Sequence, residues 1–237
     1  MPTLIQLSPR VYQLSLGLVN AFLLDDNGLT LVDTGYKGNL GKIFRMIAQS
    51  GMDPYKIKQL ILTHCHPDHA GSAAVLKRML DIPVFAHVEE VPLLTQGISG
   101  RFPQQRTPGL MNWMVYNAFI KHADKTNEPL QVEEAVVDND VLPIMGGVQV
   151  IHTPGHSAGH IALLLQAERL LIAGDSCANM GGLGLSTVYE DRKLGIASIR
   201  KTALLPFDKA VFGHGKPIHQ MANRRMEELV TTYHNDE

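Results

Sequence analysis

Apolar residues in this chain fall into short runs of four to six positions, and between several of those runs they recur at helical spacing. Leu4 to Leu24 reads as two strands joined near Ser8-Pro9-Arg10, and Leu29 to Val32 as a further strand ending in Asp33-Thr34-Gly35. Leu40, Ile43, Phe44 and Ile47 follow the i, i+3, i+4, i+7 pattern of an amphipathic helix, with Gly51 just past its last turn. Gln59 to Leu62 predicts a strand, Ala73, Leu76 and Leu80 a short helix, and Pro83 to Ala86 another strand. The βα rhythm then stops. From Val88 to about Thr126 it is interrupted by Pro92, Pro103 and Pro108, and Leu110 to Ile120 is apolar on nearly every face. Strands resume at Val141 to Ile144 and Val148 to His152 around the turn signal Gly146-Gly147, then at Ile161 to Leu165 and Leu170 to Ala173. A helix starting near Asp191 with Ile196, Ile199 and Ala203 inward, a strand Lys209 to Phe212 and a closing helix Ile218 to Val230 complete the pattern. Periodicity alone therefore gives an α/β or α+β protein.

Composition narrows this further. Hydrophobic residues make up 45 % and charged residues 19 % of the 237, enough apolar material for a sizeable core. The net charge of -2 and sequence pI near 6.6 lack the basic face that polyanion binding needs, so nucleic acid is not the expected substrate. Met1-Pro2-Thr3-Leu4-Ile5-Gln6 has no basic segment followed by a long apolar one, and no apolar run approaches the roughly 18 residues of a membrane span. A cytoplasmic protein with no membrane contact is expected. Cys65 and Cys177 are too few for a disulfide framework. They read as small packing residues or, because both neighbour candidate ligands, as a ligand or redox pair.

The candidate chemistry sits in Thr63-His64-Cys65-His66-Pro67-Asp68-His69, directly after the run Leu60-Ile61-Leu62. In extended chain, alternate side chains point the same way, so His64 and His66 can grip one ion; a turn into helix at Pro67 redirects Asp68 and His69 towards a second. Four such groups crowded together without an ion would be costly to bury. Thr153-Pro154-Gly155-His156, Ala173-Gly174-Asp175 and Phe212-Gly213-His214-Gly215 each follow or end an apolar run.

The His-x-His-x-Asp-His signature and the order of these later segments resemble the metallo-β-lactamase superfamily from about Asp33 to Pro217. The resemblance implies one domain over residues 1–237, a four-layer αββα sandwich, with a helical insertion at about 88–126. It implies two ions, one on His64, His66 and His156, the other on Asp68, His69 and His214, with Asp175 bridging. The donor set suits Zn²⁺, and also iron or manganese. A bridging hydroxide would attack a small-molecule ester, thioester or lactone, with Asp68 orienting it and passing the proton on. Asp33 is implied as the outer hydrogen-bond partner of a ligand histidine. His160 is either such a partner or a core histidine. His87, His122, His152, His219 and His234 read as structural or surface groups.

Asp175 at the bridging position resembles the glyoxalase II and lactonase subgroup rather than the true β-lactamases. Only 23 residues follow His214, too few for the helical region that binds glutathione in glyoxalase II. Specificity is therefore expected from the insertion, where Phe102, Leu110, Met111, Trp113, Met114, Tyr116 and Phe119 either cap the site or pair two copies into a homodimer. N-acyl homoserine lactonases carry a tyrosine three residues after the bridging aspartate, where this chain has Ala178; Tyr189 is the substitute within reach in sequence. An iron-dependent oxidoreductase of the persulfide dioxygenase kind is the alternative, with nuclease and β-lactamase activity behind it.

Overall fold

The computed structural model describes residues 3–233. The expectations for the first residues of the chain and for His234 concern positions outside that span. Strands β1 (Thr3–Ser8), β2 (Val11–Ser15) and β3 (Asn20–Asp25) form an antiparallel meander. Three strands thus occupy the stretch expected to hold two. The extra break is a tight turn at Leu16–Val19, closed by a 2.9 Å backbone bond and opened by Gly17 at φ +121°, which an apolar run masks in sequence. Strand β4 (Leu29–Val32), helix α1 (Leu40–Gln49) and strand β5 (Ile57–Ile61) follow, then the short helix α2 (Pro67–Ala70), α3 (Ala73–Leu80) and β6 (Val84–His87).

The insertion holds α4 (Val91–Gln96), a two-residue strand β7 (Gln105–Arg106) and α5 (Leu110–Val115), which continues as a wider π turn over Tyr116–Ile120. β8 (Glu134–Val136) returns the chain to the first sheet, whose order is β1-β2-β3-β4-β5-β6-β8. The second sheet contains β9 (Val141–Leu142), β10 (Val148–His152), β11 (Ile161–Leu165) and β12 (Leu170–Ile172). A hairpin of β13 (Cys177–Asn179) and β14 (Leu183–Leu185), turning at Gly181-Gly182, was not legible in the sequence, nor was β15 (Val188–Tyr189). Helix α6 (Arg192–Ala203) starts where expected, because the Asp191 carboxylate accepts the Leu194 N–H at 3.0 Å. After β16 (Lys209–Val211), the closing helix α7 spans Ala222–Thr231. Ile218 lies outside it: its N–H and C=O bridge Ala210 at 2.8 and 2.9 Å, extending the sheet edge instead.

Strand alternation explains the layers. Phe22 and Leu24 of β3 face Leu163 and Leu165 of β11 in a cluster between the two sheets, while Leu23 points the other way, into α1 and α3. On β11, Ala162 and Leu164 face outward onto Ile196, Ile199 and Met226 of α6 and α7. Three apolar clusters separate four layers in the order helix, sheet, sheet, helix. Strands buried on both faces carry apolar residues at consecutive positions, which is why Phe22 to Leu24 and Ile161 to Leu165 show no alternation. No helix among the described residues is long and apolar enough to cross a membrane.

Candidate metal centre

All of the ligand candidates leave the ends of strands at one edge of the sandwich. After β5 the chain stays extended through His66 (ψ 151°) and turns into α2 at Pro67, a residue suited to a first helical turn; His64 and His66 leave from the extended part, Asp68 and His69 from the helix. His156 follows β10, Asp175 follows β12 and His214 follows β16. Gly174 lies at φ +54°, and a Cβ there would come within 2.5 Å of the His160 ring. Only glycine lets that ring reach back to the Asp175 backbone.

The structure brings together all seven side chains. The ligand-type atoms of His64, His66 and His156 lie within 4.8 Å of one another, and so do those of Asp68, His69 and His214. Asp175 lies between the two groups, with one carboxylate oxygen 3.6 Å from His156 Nε2 and 3.1 Å from His214 Nε2, the other 3.5 Å from His69 Nε2. His64 also lies within 4.8 Å of His69 and Asp175, so the two groups form one continuous cluster.

Hydrogen bonds fix where most of the protons sit. Asp33, buried at φ +60°, takes the Thr63 N–H on one oxygen and both the Thr63 hydroxyl and the His69 Nδ1–H on the other, each at 2.8 Å. The Thr63 hydroxyl, having given its hydrogen to Asp33, accepts from His64 Nδ1 at 3.0 Å. His156 Nδ1 donates to the Val188 carbonyl at 2.9 Å and His214 Nδ1 to the Leu18 carbonyl at 2.7 Å. Each of these four rings therefore turns Nε2 inward, and the buried Nε2 atoms of His64 and His69 and Oδ1 of Asp175 have no hydrogen-bond partner. Buried polar atoms left unpartnered are costly, and three converging on one spot form a donor set of the kind that could hold a cation.

Electrostatics agree with that fit. Burial opposes charge on Asp175, yet His214 and His69 hold its carboxyl well below the usual range, and His69 and His214 do the same for Asp68. Burial likewise opposes charge on His69, but the carboxylates of Asp175, Asp68 and Asp33 overcome it and push it up to about 10; His214 is raised by Asp175 and Asp68. His64 and His156 are pushed down by burial and by neighbouring histidines. Without ions, protons on His69 and His214 neutralise the carboxylates.

Several supporting residues gave no signal in the sequence. Glu90, buried, accepts the Cys65 N–H at 2.8 Å and the Ser157 hydroxyl and Gly159 N–H at 2.9 Å, binding the His64 loop to the His156 loop. Asn20 donates to the carbonyls of Phe212 and Gly215, fixing the His214 loop. His160, by contrast, was open in the sequence as either an outer partner or a core histidine; it is buried, accepts the Asp175 N–H on Nε2 at 2.8 Å and meets the Thr153 hydroxyl at Nδ1, so it acts on the backbone of Asp175.

Cys65 and Cys177 are free and buried; burial raises both thiols, Cys177 to about 12, which leaves them packing residues at neutral pH. The Tyr189 hydroxyl accepts the Ser186 N–H and donates to the Ser176 carbonyl, so this side chain is committed to the core rather than to the substrate side.

A cleft of about 1040 Å³, open to solvent, lies over the cluster and is walled by Leu18, Tyr36, Val115, Phe119, Ile120 and Met180. Phe102 and Phe119 of the insertion line it, whereas Leu110, Met111, Trp113 and Met114 do not and remain 43 to 73 % exposed.

The sequence profile of the Metallo-beta-lactamase superfamily matches residues 14–214. The chain is 26 % identical over 229 residues to a probable metallo-hydrolase, YflN, of Bacillus subtilis (strain 168), covering 88 % of this chain and 84 % of that protein. It is 27 % identical over 196 residues to the hydroxyacylglutathione hydrolase GloC of Haemophilus influenzae, covering 81 % and 82 %. Among solved structures, a metallo-beta-lactamase family protein of Thermus thermophilus superposes with a TM-score of 0.71 at 28 % identity, over 96 % of this chain and 80 % of that one.

Proposed function

The chain belongs to the metallo-beta-lactamase superfamily, and from that premise we propose that it is a metal-dependent hydrolase with two ions that cleaves an ester, thioester or lactone of a small molecule. The observation that carries this is the three unpartnered buried donors, on His64, His69 and Asp175, inside two adjoining ligand groups. Relatives named as a metallo-hydrolase and a hydroxyacylglutathione hydrolase support the reaction class. His64, His66 and His156 would hold one ion, Asp68, His69 and His214 the other, with Asp175 shared. Zinc fits the nitrogen-rich donor set without thiolate, as do iron and manganese. When bound, the ions would supply Lewis acidity and bring the pKa of water from 15.7 to about 7.

The protein's own residues do the rest. Asp68 Oδ2 faces His214 at 3.3 Å and His69 at 3.9 Å, which leaves Oδ1 to take a proton from water and hand it to the leaving group. The apolar wall of Phe119, Ile120 and Met180 receives an apolar acyl portion and keeps bulk water from it. The exposed strip Leu110, Met111 and Trp113 is a surface through which two copies would pair. A cytoplasmic setting suits the two free thiols.

The test is a panel of thioesters, lactones, aryl esters, phosphodiesters and β-lactams assayed on zinc-reconstituted protein, with His66→Ala alongside. Turnover of acyl substrates that vanishes in the variant, with two zinc equivalents in the parent, is the expected result. A single tightly held iron in the parent would instead point to the persulfide dioxygenase type of chemistry.

A further inference from the structure

Part of the cleft wall is built where the two ends of the insertion meet as a short antiparallel ribbon. Asn127 N–H donates to the Gly97 carbonyl at 2.8 Å, Ile98 pairs with Thr126, and Ser99 N–H donates to the Lys125 carbonyl at 3.3 Å. These three rungs put Ser99 opposite Lys125. Residues opposite each other in an antiparallel pair project from the same face, and Asn127, two places from Lys125, shares that face. The ribbon is fixed against the loop of ligand candidates, because Asn127 Nδ2 donates to the Cys65 carbonyl, between His64 and His66, at 2.6 Å. Two residues further along, about 7 Å in extended chain, Ser99 and Lys125 line the cleft.

Both side chains have donors to spare. Lys125 is the one lysine or arginine among the described residues that line the cleft, where the carboxylates of Asp68, Asp124 and Asp175 are its counterparts. Its Nζ lies 4.3 Å from the centroid of the Phe102 ring and makes no ion pair or hydrogen bond among the described residues. Asp124, next to it in the chain, is engaged elsewhere: its Oδ1 accepts the Thr126 N–H at 3.1 Å and the Thr126 hydroxyl at 2.7 Å. Ser99 is only 2 % exposed, and its hydroxyl also has no partner among the described residues. Polar groups this deep are ordinarily hydrogen-bonded, so an unmatched one on a cleft wall points to a ligand.

An ammonium and a hydroxyl on one face of a ribbon are a donor pair for an anion, and a carboxylate offers one oxygen to each. We propose that Ser99 and Lys125 form a subsite for a carboxylate carried on the acyl portion of the substrate, so that the preferred substrates are acyl esters or thioesters whose acyl chain ends in an anion. The apolar side chains of Phe119 and Ile120, from the same insertion, receive the stretch between the scissile carbonyl and that end. An uncharged end of the same length covers the ammonium and the hydroxyl without pairing them. That penalty, as much as the bonds gained with an anion, sets the preference.

This inference rests on the proposed acyl hydrolase activity. It is tested on the zinc-reconstituted parent, Lys125→Met, Lys125→Glu and Ser99→Ala with thioesters of equal acyl length that end in a carboxylate, a methyl or an ammonium group, and with a methyl-ended acyl chain on a carboxylate-bearing thiol. The parent is expected to prefer the carboxylate-ended chain to the methyl-ended one. Lys125→Met should lower that ratio of kcat/KM about tenfold, the low end for a hydrogen bond to a charged group, through KM rather than kcat. Ser99→Ala should lower it as well, and Lys125→Glu should turn the preference towards the ammonium-ended chain. A parent without the preference, a ratio indifferent to Lys125→Met and Ser99→Ala, or a Lys125 dependence confined to the carboxylate-bearing thiol overturns this proposal alone. A parent that turns over none of these thioesters overturns the hydrolase reading and this proposal together.

Discussion

Replacing Asp33 by Asn should separate the shape of the metal centre from its protonation. The backbone at this position is left-handed, at φ +60°, which Asn adopts nearly as readily as Asp, so no strain is introduced. Asn keeps one oxygen, and the Thr63 N–H, 2.8 Å from Oδ1, claims it. The amide NH₂ then lies where Oδ2 was, facing the Thr63 hydroxyl and His69 Nδ1, and a donor there disfavours the Nδ1 proton that His69 must keep when its Nε2, the atom aimed at Asp175, gives up its own to an ion. Losing such an outer partner typically costs 10- to 100-fold in metal affinity, about 1.4 to 2.7 kcal/mol. The lost hydrogen bonds to a charged acceptor cost about 1.5 to 3 kcal/mol each, and at about 2 to 4 °C per kcal/mol for a protein this size, one of them lowers the melting temperature by about 3 to 12 °C. Chelator competition with zinc measures the first effect and scanning calorimetry of ion-free protein the second. If Asp33→Asn binds zinc with unchanged affinity while His69 keeps its proton on Nδ1, the assignment of Asp33 as the group that sets His69 is wrong.

Zinc loading at pH 7 should release at least two protons per chain, those that the carboxylates hold on His69 and His214, with part of a third from the bound water; calorimetry in buffers of different ionisation enthalpy counts them. In ion-free protein, His69 contributes stability that is fully present below its unfolded pKa near 6.5 and is lost as pH rises towards about 10. His160, pushed down by burial to about 3, contributes stability that is lost as pH falls below 6.5, so the melting temperature should peak near that value; a flat profile from pH 5 to 9 would contradict the assignment. Glu90→Ala strands three buried donors and should cost at least about 3 kcal/mol, read as a drop in denaturation midpoint at unchanged m-value. Phe119→Ser should shift preference among acyl chain lengths while leaving zinc content at the parent value, whereas Trp113→Ser, outside the cleft, should alter sedimentation rather than kinetics.

What could be read from the sequence follows a physical division. Side chains that must touch one another across a fixed local geometry leave a short spacing, as His64 to His69 do around the turn at Pro67, and apolar strands announce themselves because both faces are buried. Residues that act through a single hydrogen bond leave no such trace. Glu90 looks like one of two adjacent surface glutamates, Asn20 like a turn residue between apolar runs, and Gln104 like a polar position in a proline-broken loop; each acquires its role only when a distant stretch of chain is folded against it. The insertion illustrates the same limit. Its apolar residues are visible as a group, but which of them face the cleft depends on how α5 is rotated, which an all-round apolar pattern does not give; the chain leading into α5 is paired in the β7–β15 ladder at Gln105 and Arg106, two polar, exposed residues with no strand signal. That ladder begins one residue after Gln104, whose amide meets His66 Nε2 at 3.2 Å, and lies four residues before α5, so a single short stretch of chain leads both to a ligand candidate and to the helix that carries the cleft wall. Substrate preference and metal affinity should therefore change together when the ladder is disturbed, and independently when only cleft-facing side chains such as Phe119 are changed.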